Sequence, residues 1–327
     1  MLRWLMLLVL LACATPDDSP PSTTENDGPR DLRLDPSQAE GADFVIQTPD
    51  YIIPAQTDRM YCFWGTWQGP TAGVHFYEFN QSPGFGHHGM LNQVDDSSED
   101  IPDGTWVDCT TPEDQPMISN SKPLLAGTEV VEPGHGRMVL PEGKAVKIRE
   151  GQRWMFQSHY INSSDEPILV RDLAWGWTLP EAEVQDWVGS YTFNNSDISL
   201  PPQQESKRDF DCAWGADLHL LSIAGHMHHA GTSMFGAIVA PEQAVEEGEV
   251  IYDVPVWNGE WRDAPQILTF PGDGLPVQAD DRLYGSCTWY NSSDSTLGFP
   301  NEMCVLMGLA WPLEQAIGCD AAHPREQ

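Results

Sequence analysis

The sequence predicts an all-β protein built as two tandem β-sandwich domains of jelly-roll type, and three observations predict it. Gly and Pro are frequent, 28 and 27 of 327 residues, and they punctuate short segments rich in Val, Ile, Tyr, Phe and Trp. Helical periodicity is scarce. A polar break from Trp187 to Gln204, ending in Pro201-Pro202, is the expected linker between two halves. No internal repeat is evident, which favours two sandwiches over a propeller.

Taken in chain order, Arg3 precedes an apolar run from Trp4 to Leu11, too short to span a bilayer as a helix and laid out like an export signal. Residues 1–12 are therefore expected to be a signal peptide. Leu10-Leu11-Ala12-Cys13 has the order of a bacterial lipobox, which makes Cys13 the acylated first residue of the mature protein. Residues 13–42, rich in Pro, Ser, Thr, Asp and Glu, are expected to form a flexible lipidated tether. The first folded domain is expected over 43–187 and the second over 188–327. Strand-length segments are Gly73–Phe79, Trp154–Ile161, Ile168–Trp177, Leu218–Ala224 and Gly231–Val239, each bounded by turn residues. Glu181–Val188 and Pro241–Glu247 are read as a turn or two of helix each.

Charge and cysteine usage narrow the setting. With 16 Lys+Arg against 49 Asp+Glu, the net charge is -33, and such a surface repels phosphate backbones, so nucleic acid is not a partner. Apart from Cys13 there are six cysteines, Cys62, Cys109, Cys212, Cys287, Cys304 and Cys319. Their even number, without a CxxC pair, indicates three disulfides in an oxidising compartment such as a bacterial cell envelope. Fifteen pairings remain open on number alone.

The chemistry lies in histidines and one methionine. Gly225-His226-Met227-His228-His229 closes an apolar strand, where residues two apart share a face, so His226 and His228 can offer two imidazoles to one ion. Gly84-Phe85-Gly86-His87-His88-Gly89-Met90 holds adjacent histidines, which reach one metal only where the backbone turns or bulges; its glycines permit that. His159 sits inside an apolar strand, where a ligand role and a buried hydrogen-bonded role are equally open. Met303 stands beside Cys304, which a disulfide would pin. A thioether is a soft ligand that favours Cu(I) over zinc, so a site of His226, His228 and Met303 selects copper.

His87-His88, His159, His226-x-His228 and Glu302-Met303-Cys304 occur in this order with spacings similar to those of the copper type II ascorbate-dependent monooxygenases, over roughly residues 43 to 320. That family includes peptidylglycine α-hydroxylating monooxygenase and dopamine β-hydroxylase. The resemblance implies two β-sandwiches, each holding one of two coppers across an open cleft. In it, His87, His88 and His159 resemble an electron-storage site. His226, His228 and Met303 resemble the catalytic site of oxygen chemistry. Gln157 and His219 fall where the family has residues near the electron path or around the metals. The implied disulfides are Cys62–Cys109, Cys212–Cys319 and Cys287–Cys304. The implied partners are O2, an external electron donor (ascorbate or another reductant) and a small-molecule substrate, with the membrane met only through the lipid anchor.

The chain also departs from the amidating members. Ala224 stands where they have an arginine for a peptide carboxylate, and Val305 and Met307 replace an Asn and a Tyr that help hold it. The expected activity is hydroxylation of a more apolar substrate; insertion of one oxygen atom needs two electrons, one from each copper. A non-catalytic copper-binding lipoprotein for storage or delivery is the alternative. A metal-free adhesion or carbohydrate-binding sandwich, suggested by 13 tryptophans, ranks last.

Overall fold

The computed structural model describes residues 28–94, 101–110, 121–125, 127–262, 264–299 and 301–322. The expected signal segment, Cys13 and the first part of the tether lie outside the described residues. Among those described, the protein is all-β, with only short 3-10 turns between strands. No helix is long and apolar enough to cross a membrane.

Two sandwiches share one long sheet. Twelve strands run through it, and its main path passes from Phe44–Gln47 through Leu173–Pro180, Ala72–Asn80, Lys144–Ile148, Asp186–Asn194 and Val305–Trp311 to Leu218–His226 and Ile267–Thr269. Its first half packs on a five-stranded sheet ordered Trp106–Asp108, Thr57–Thr66, Arg153–Asn162, Gly86–Val94, Ser121–Leu125. Val74, Tyr77, Val146 and Ala174 of the long sheet meet Leu91, Leu124 and Phe156 of the facing sheet in one core. The second half packs on Gln204–Ala213, Arg282–Asn291, Gly231–Val239 and Glu249–Val254. There Tyr191, Leu220, Ile223 and Leu306 meet Phe210, Met234, Tyr252 and Trp289. Alternating side chains on each strand explain how one sheet face can belong to each core.

The sequence expectations hold for most strands. Gly73–Phe79, Trp154–Ile161, Leu218–Ala224 and Gly231–Val239 all lie in strands. Ile168–Trp177 is two strands, Ile168–Val170 and Leu173–Pro180, parted at Arg171 and Asp172. The expected helical turns shrink to 3-10 turns at Glu181–Glu183 and Val245–Glu247.

Two boundaries are corrected. The expected linker from Trp187 to Gln204 begins as the strand Asp186–Asn194, which joins the halves. Its start pairs parallel with Lys144–Ile148, and its remainder pairs antiparallel with Val305–Trp311. Val188 enters the first core, while Tyr191 and Phe193 enter the second. A strand buried on both faces shows no apolar-polar alternation, so its mixed composition read as a break. The expected tether 13–42 is folded from residue 28 onward. Arg30–Asp31 pairs with Ile168–Val170, Asp35 caps the 3-10 turn Pro36–Ala39, and Leu34 and Ala39 are buried against Leu173 and Trp175. A few well-spaced apolar residues suffice to dock a polar segment, and average composition conceals them.

All three disulfides pair as the resemblance implied: Cys62–Cys109, Cys212–Cys319 and Cys287–Cys304. They fit an exported protein.

Candidate metal centres

The first centre is built by two neighbouring strands of the five-stranded sheet. His88 stands opposite His159, but Tyr160 then pairs with Gly86, so His87 is the extra residue of a β-bulge. The bulge turns both adjacent histidines to one side. Of the expected permissive glycines, Gly84 takes the left-handed conformation, φ 79°. Gly86 and Gly89 instead allow close packing, against Gln81 and against Phe79 and Phe156.

His87, His88 and His159 offer ligand nitrogens that all lie within 4.8 Å of one another. His159 is buried, and its Nε2 lies 2.5 Å from the Asp58 carboxylate. A carboxylate accepts, so Nε2 carries the proton and Nδ1 keeps the lone pair. That Nδ1 faces His88 Nδ1 at 3.4 Å. Behind the strand, Ser158 donates to buried Asp172 at 2.5 Å and Tyr51 does so at 2.7 Å; Tyr160 donates to its other oxygen. Gln81, in the turn before His87, donates to Ser158 Oγ at 2.7 Å. Burial pushes the Asp172 carboxyl up to about 6, against the pull of these hydrogen bonds. The network ties the His87 turn to the His159 strand.

The second centre lies at the end of the Leu218–His226 strand. Gly225 faces the second core, where a Cβ would meet Met234 and Tyr252. His226 and Ala224 therefore face the other way. They share this face with Val305 and Met307, their partners on the adjacent strand. Further along the same face, Leu309 enters the core of the first half. Ala224, Val305 and Met307, the departures from the amidating pattern, thus lie around His226.

The strand ends at His226, and His228 lies beyond the ladder. His228 Nδ1 lies 2.8 Å from the Asn301 carbonyl, which only accepts, so Nε2 keeps the lone pair. The Nε2 atoms of His226 and His228 are 3.2 Å apart. Two nitrogens bound at 2.0–2.1 Å to a tetrahedral ion stand about 3.3 Å apart, so this pair fits a shared metal. Met303 is half-buried, two residues before Val305, the partner of His226 at the end of the ladder. Cys304 is held to Cys287. His229 is exposed.

Of the two accessory candidates, Gln157 is buried two residues before His159, opposite Cys62 and Met90. His219 does not join the second centre. It is the second residue of the strand that His226 ends, about 23 Å away along it, and stacks on Trp311 at 4.4 Å. The sequence reading missed Asp58 and Glu302 as supporting groups. Nothing marks Asp58 in the sequence; Glu302 was visible only as part of the Glu-Met-Cys motif. Glu302 is buried, which pushes its carboxyl above the ordinary range, while hydrogen bonds from His228, Ala230 and Trp289 oppose that shift.

A hairpin, Glu129–Glu132 with His135–Val139, lies beside the first centre. At its turn, Gly134 N–H donates to the His87 carbonyl at 3.0 Å. Its base forms one wall of a groove of about 520 Å³, lined by Thr128, Val130 and Val139 on one side and Pro265, Ile267 and Thr269 on the other. Ile267 pairs with Ala224, two residues before His226, so the groove adjoins the His226 face.

No protein-family model matches this chain, and no curated protein matches it. Among solved structures, the VP2 subviral particle of infectious bursal disease virus aligns over 87% of this chain and 75% of the viral chain, at 10% identity and a TM-score of 0.21. The Gx strain of that virus aligns over 81% and 70%, at 8% identity and a TM-score of 0.22. Likenesses this slight carry no functional argument.

Proposed function

We propose that this chain is an exported copper-dependent monooxygenase, anchored through a lipid on Cys13, that hydroxylates a C–H bond of a small apolar substrate with O2 and an external reductant. One observation carries the reading. Two histidine groups, one on each half, hold nitrogens at metal-sharing separations, and in each group an acceptor fixes the proton of one ring on the nitrogen that faces away. Copper bound at both would supply the two electrons that oxygen insertion requires. His87, His88 and His159 are the residues to hold the electron-storing ion. His226, His228 and Met303 are those to hold the oxygen-binding ion, with room left for an exogenous ligand.

Ala224, Val305 and Met307 on the His226 face support an apolar substrate. The groove at Ile267 is mixed: Val130, Val139, Pro265 and Ile267 line it together with Thr128, Glu129, Gln266 and Thr269, and Arg137 faces the Glu129 carboxylate at 3.8 Å. Among the described residues, no cation lines it to receive a substrate carboxylate.

Metal content and reductant-dependent oxygen uptake, measured on the wild type and on Met303→Ala, test the proposal. Two coppers per chain and oxygen uptake abolished by the substitution are the expected results. Uptake that survives in Met303→Ala overturns the mechanism. Tight copper binding without uptake for any substrate favours storage or delivery instead.

A further inference from the structure

We propose that Glu302 is the positioning residue of the second centre: its buried carboxylate brackets His228 from the backbone side while its chain neighbours grip the same histidine's ring and supply Met303. This inference rests on the copper reading above, but its geometry stands independently. The strand ends at His226, and His228 lies beyond its ladder. The N–H groups of the segment are held by the Glu302 side chain, which accepts from the His228 N–H at 3.1 Å and from the Ala230 N–H at 2.8 Å, while the His228 and Ala230 carbonyls accept from the Gly231 and Tyr290 N–H groups at 3.2 and 2.9 Å.

The carboxylate is itself anchored. It is 2% exposed, and Oε2 accepts a third hydrogen bond from the indole N–H of Trp289 at 3.1 Å. Trp289 is fully buried on the strand that also carries Cys287, bonded to Cys304. Three consecutive residues thus have three tasks toward one site. The Asn301 carbonyl fixes the His228 ring, Glu302 fixes its backbone, and Met303 offers its sulfur. A buried carboxylate taking two backbone donors from one loop and an indole donor from the core is a costly arrangement unless the loop must hold a single conformation. His228 then arrives preset, with Nε2 beside His226 Nε2.

The test uses the full chain, first metal-free and then with copper alone as the probe. In the wild type, the amides of His228 and Ala230 should exchange slowly with deuterium. In Glu302→Ala both should exchange at least ~10-fold faster, while amides of the Leu218–His226 ladder stay protected. Copper affinity should fall roughly 10- to 100-fold at one of the two centres, and the Cu(II) spectrum of that centre alone should change. Glu302→Gln keeps the size but only one acceptor oxygen, so one of the two amides should lose protection and the spectral change should be smaller. If Glu302→Ala does not fold, the Gln variant decides. Wild-type protection at both amides with an unaltered spectrum, in whichever variant folds, overturns the assignment. A wild type that binds no copper removes the functional reading, and the exchange arm then still decides whether Glu302 holds the loop.

Discussion

In each candidate centre, one hydrogen-bond acceptor decides which nitrogen one histidine presents. Asp58 does this for His159 and the Asn301 carbonyl for His228. Replacing Asp58 by Asn leaves a weaker, neutral acceptor, and affinity for copper at the first centre should fall about 10-fold with the second unchanged; competition titration against a chelator measures this. Asp172 makes a pH-dependent contribution of opposite sign to that of an ordinary paired carboxylate. Its native pKa is raised from 3.8 to about 6, so between these values the folded state binds more protons than the unfolded state. Stability therefore falls as pH rises through that window, by roughly 3 kcal/mol if the whole shift is expressed. Asp172→Asn should flatten the denaturation midpoint between pH 4 and 6. A wild-type midpoint that rises across this range would contradict the assignment. Of these residues, His87, His88, His159, His226, His228 and Met303 were legible in the sequence because ligand types recur in motifs. Asp58 and Asp172 were not, because a carboxylate's role depends on what the fold brings within 3 Å of it.

The hairpin that turns at Gly134 buttresses the first centre. Gly134 has φ +78°, and a Cβ there would lie 2.8–3.0 Å from the backbone of Gly86. Gly134→Ala is therefore strained twice, by the left-handed backbone and by contact with the turn that carries His87. The expected outcome is weakened copper binding at the first centre with the second retained, read from copper stoichiometry and the two spectral components. Equal binding at both centres would show that the hairpin turn does not support His87. The sequence showed the strands at His159 and His226 but neither the strand Gly86–Val94 nor this hairpin's role. Its strands are short and half exposed, and their placement against Ile267 is set by packing between halves.

The two halves are joined as one sheet rather than strung on a linker. Lys144 of the first half is buried, pairs with Asp186 at 3.0 Å, and sets its ammonium 3.3 Å from the centre of the Trp311 ring of the second half. His219 stacks on the same tryptophan, whose indole N–H donates to the Asp273 carbonyl. Calorimetry of the wild type should show one cooperative transition. Trp311→Ala removes the centre of this stack at a cost of about 3 kcal/mol and should split the transition into two. A single transition merely moved to lower temperature would mean that the continuous sheet alone couples the halves.

The sequence by itself determined the all-β class, the position of most strands and the identity of the metal-type side chains, because alternation, turn residues and ligand chemistry are local properties. The resemblance noted in the sequence implied the disulfide pairing that the structure bears, and it divided the six candidate ligands into two sets. Only the tertiary structure decided that the expected linker is a shared strand, and that residues from 28 onward dock on the first half. It also supplied Asp58 and Glu302 as the groups that orient the histidines. The physical reason is the same in each case: burial on two faces, docking of a polar segment and the choice of a hydrogen-bond partner all depend on residues distant in the chain, and no local pattern records them.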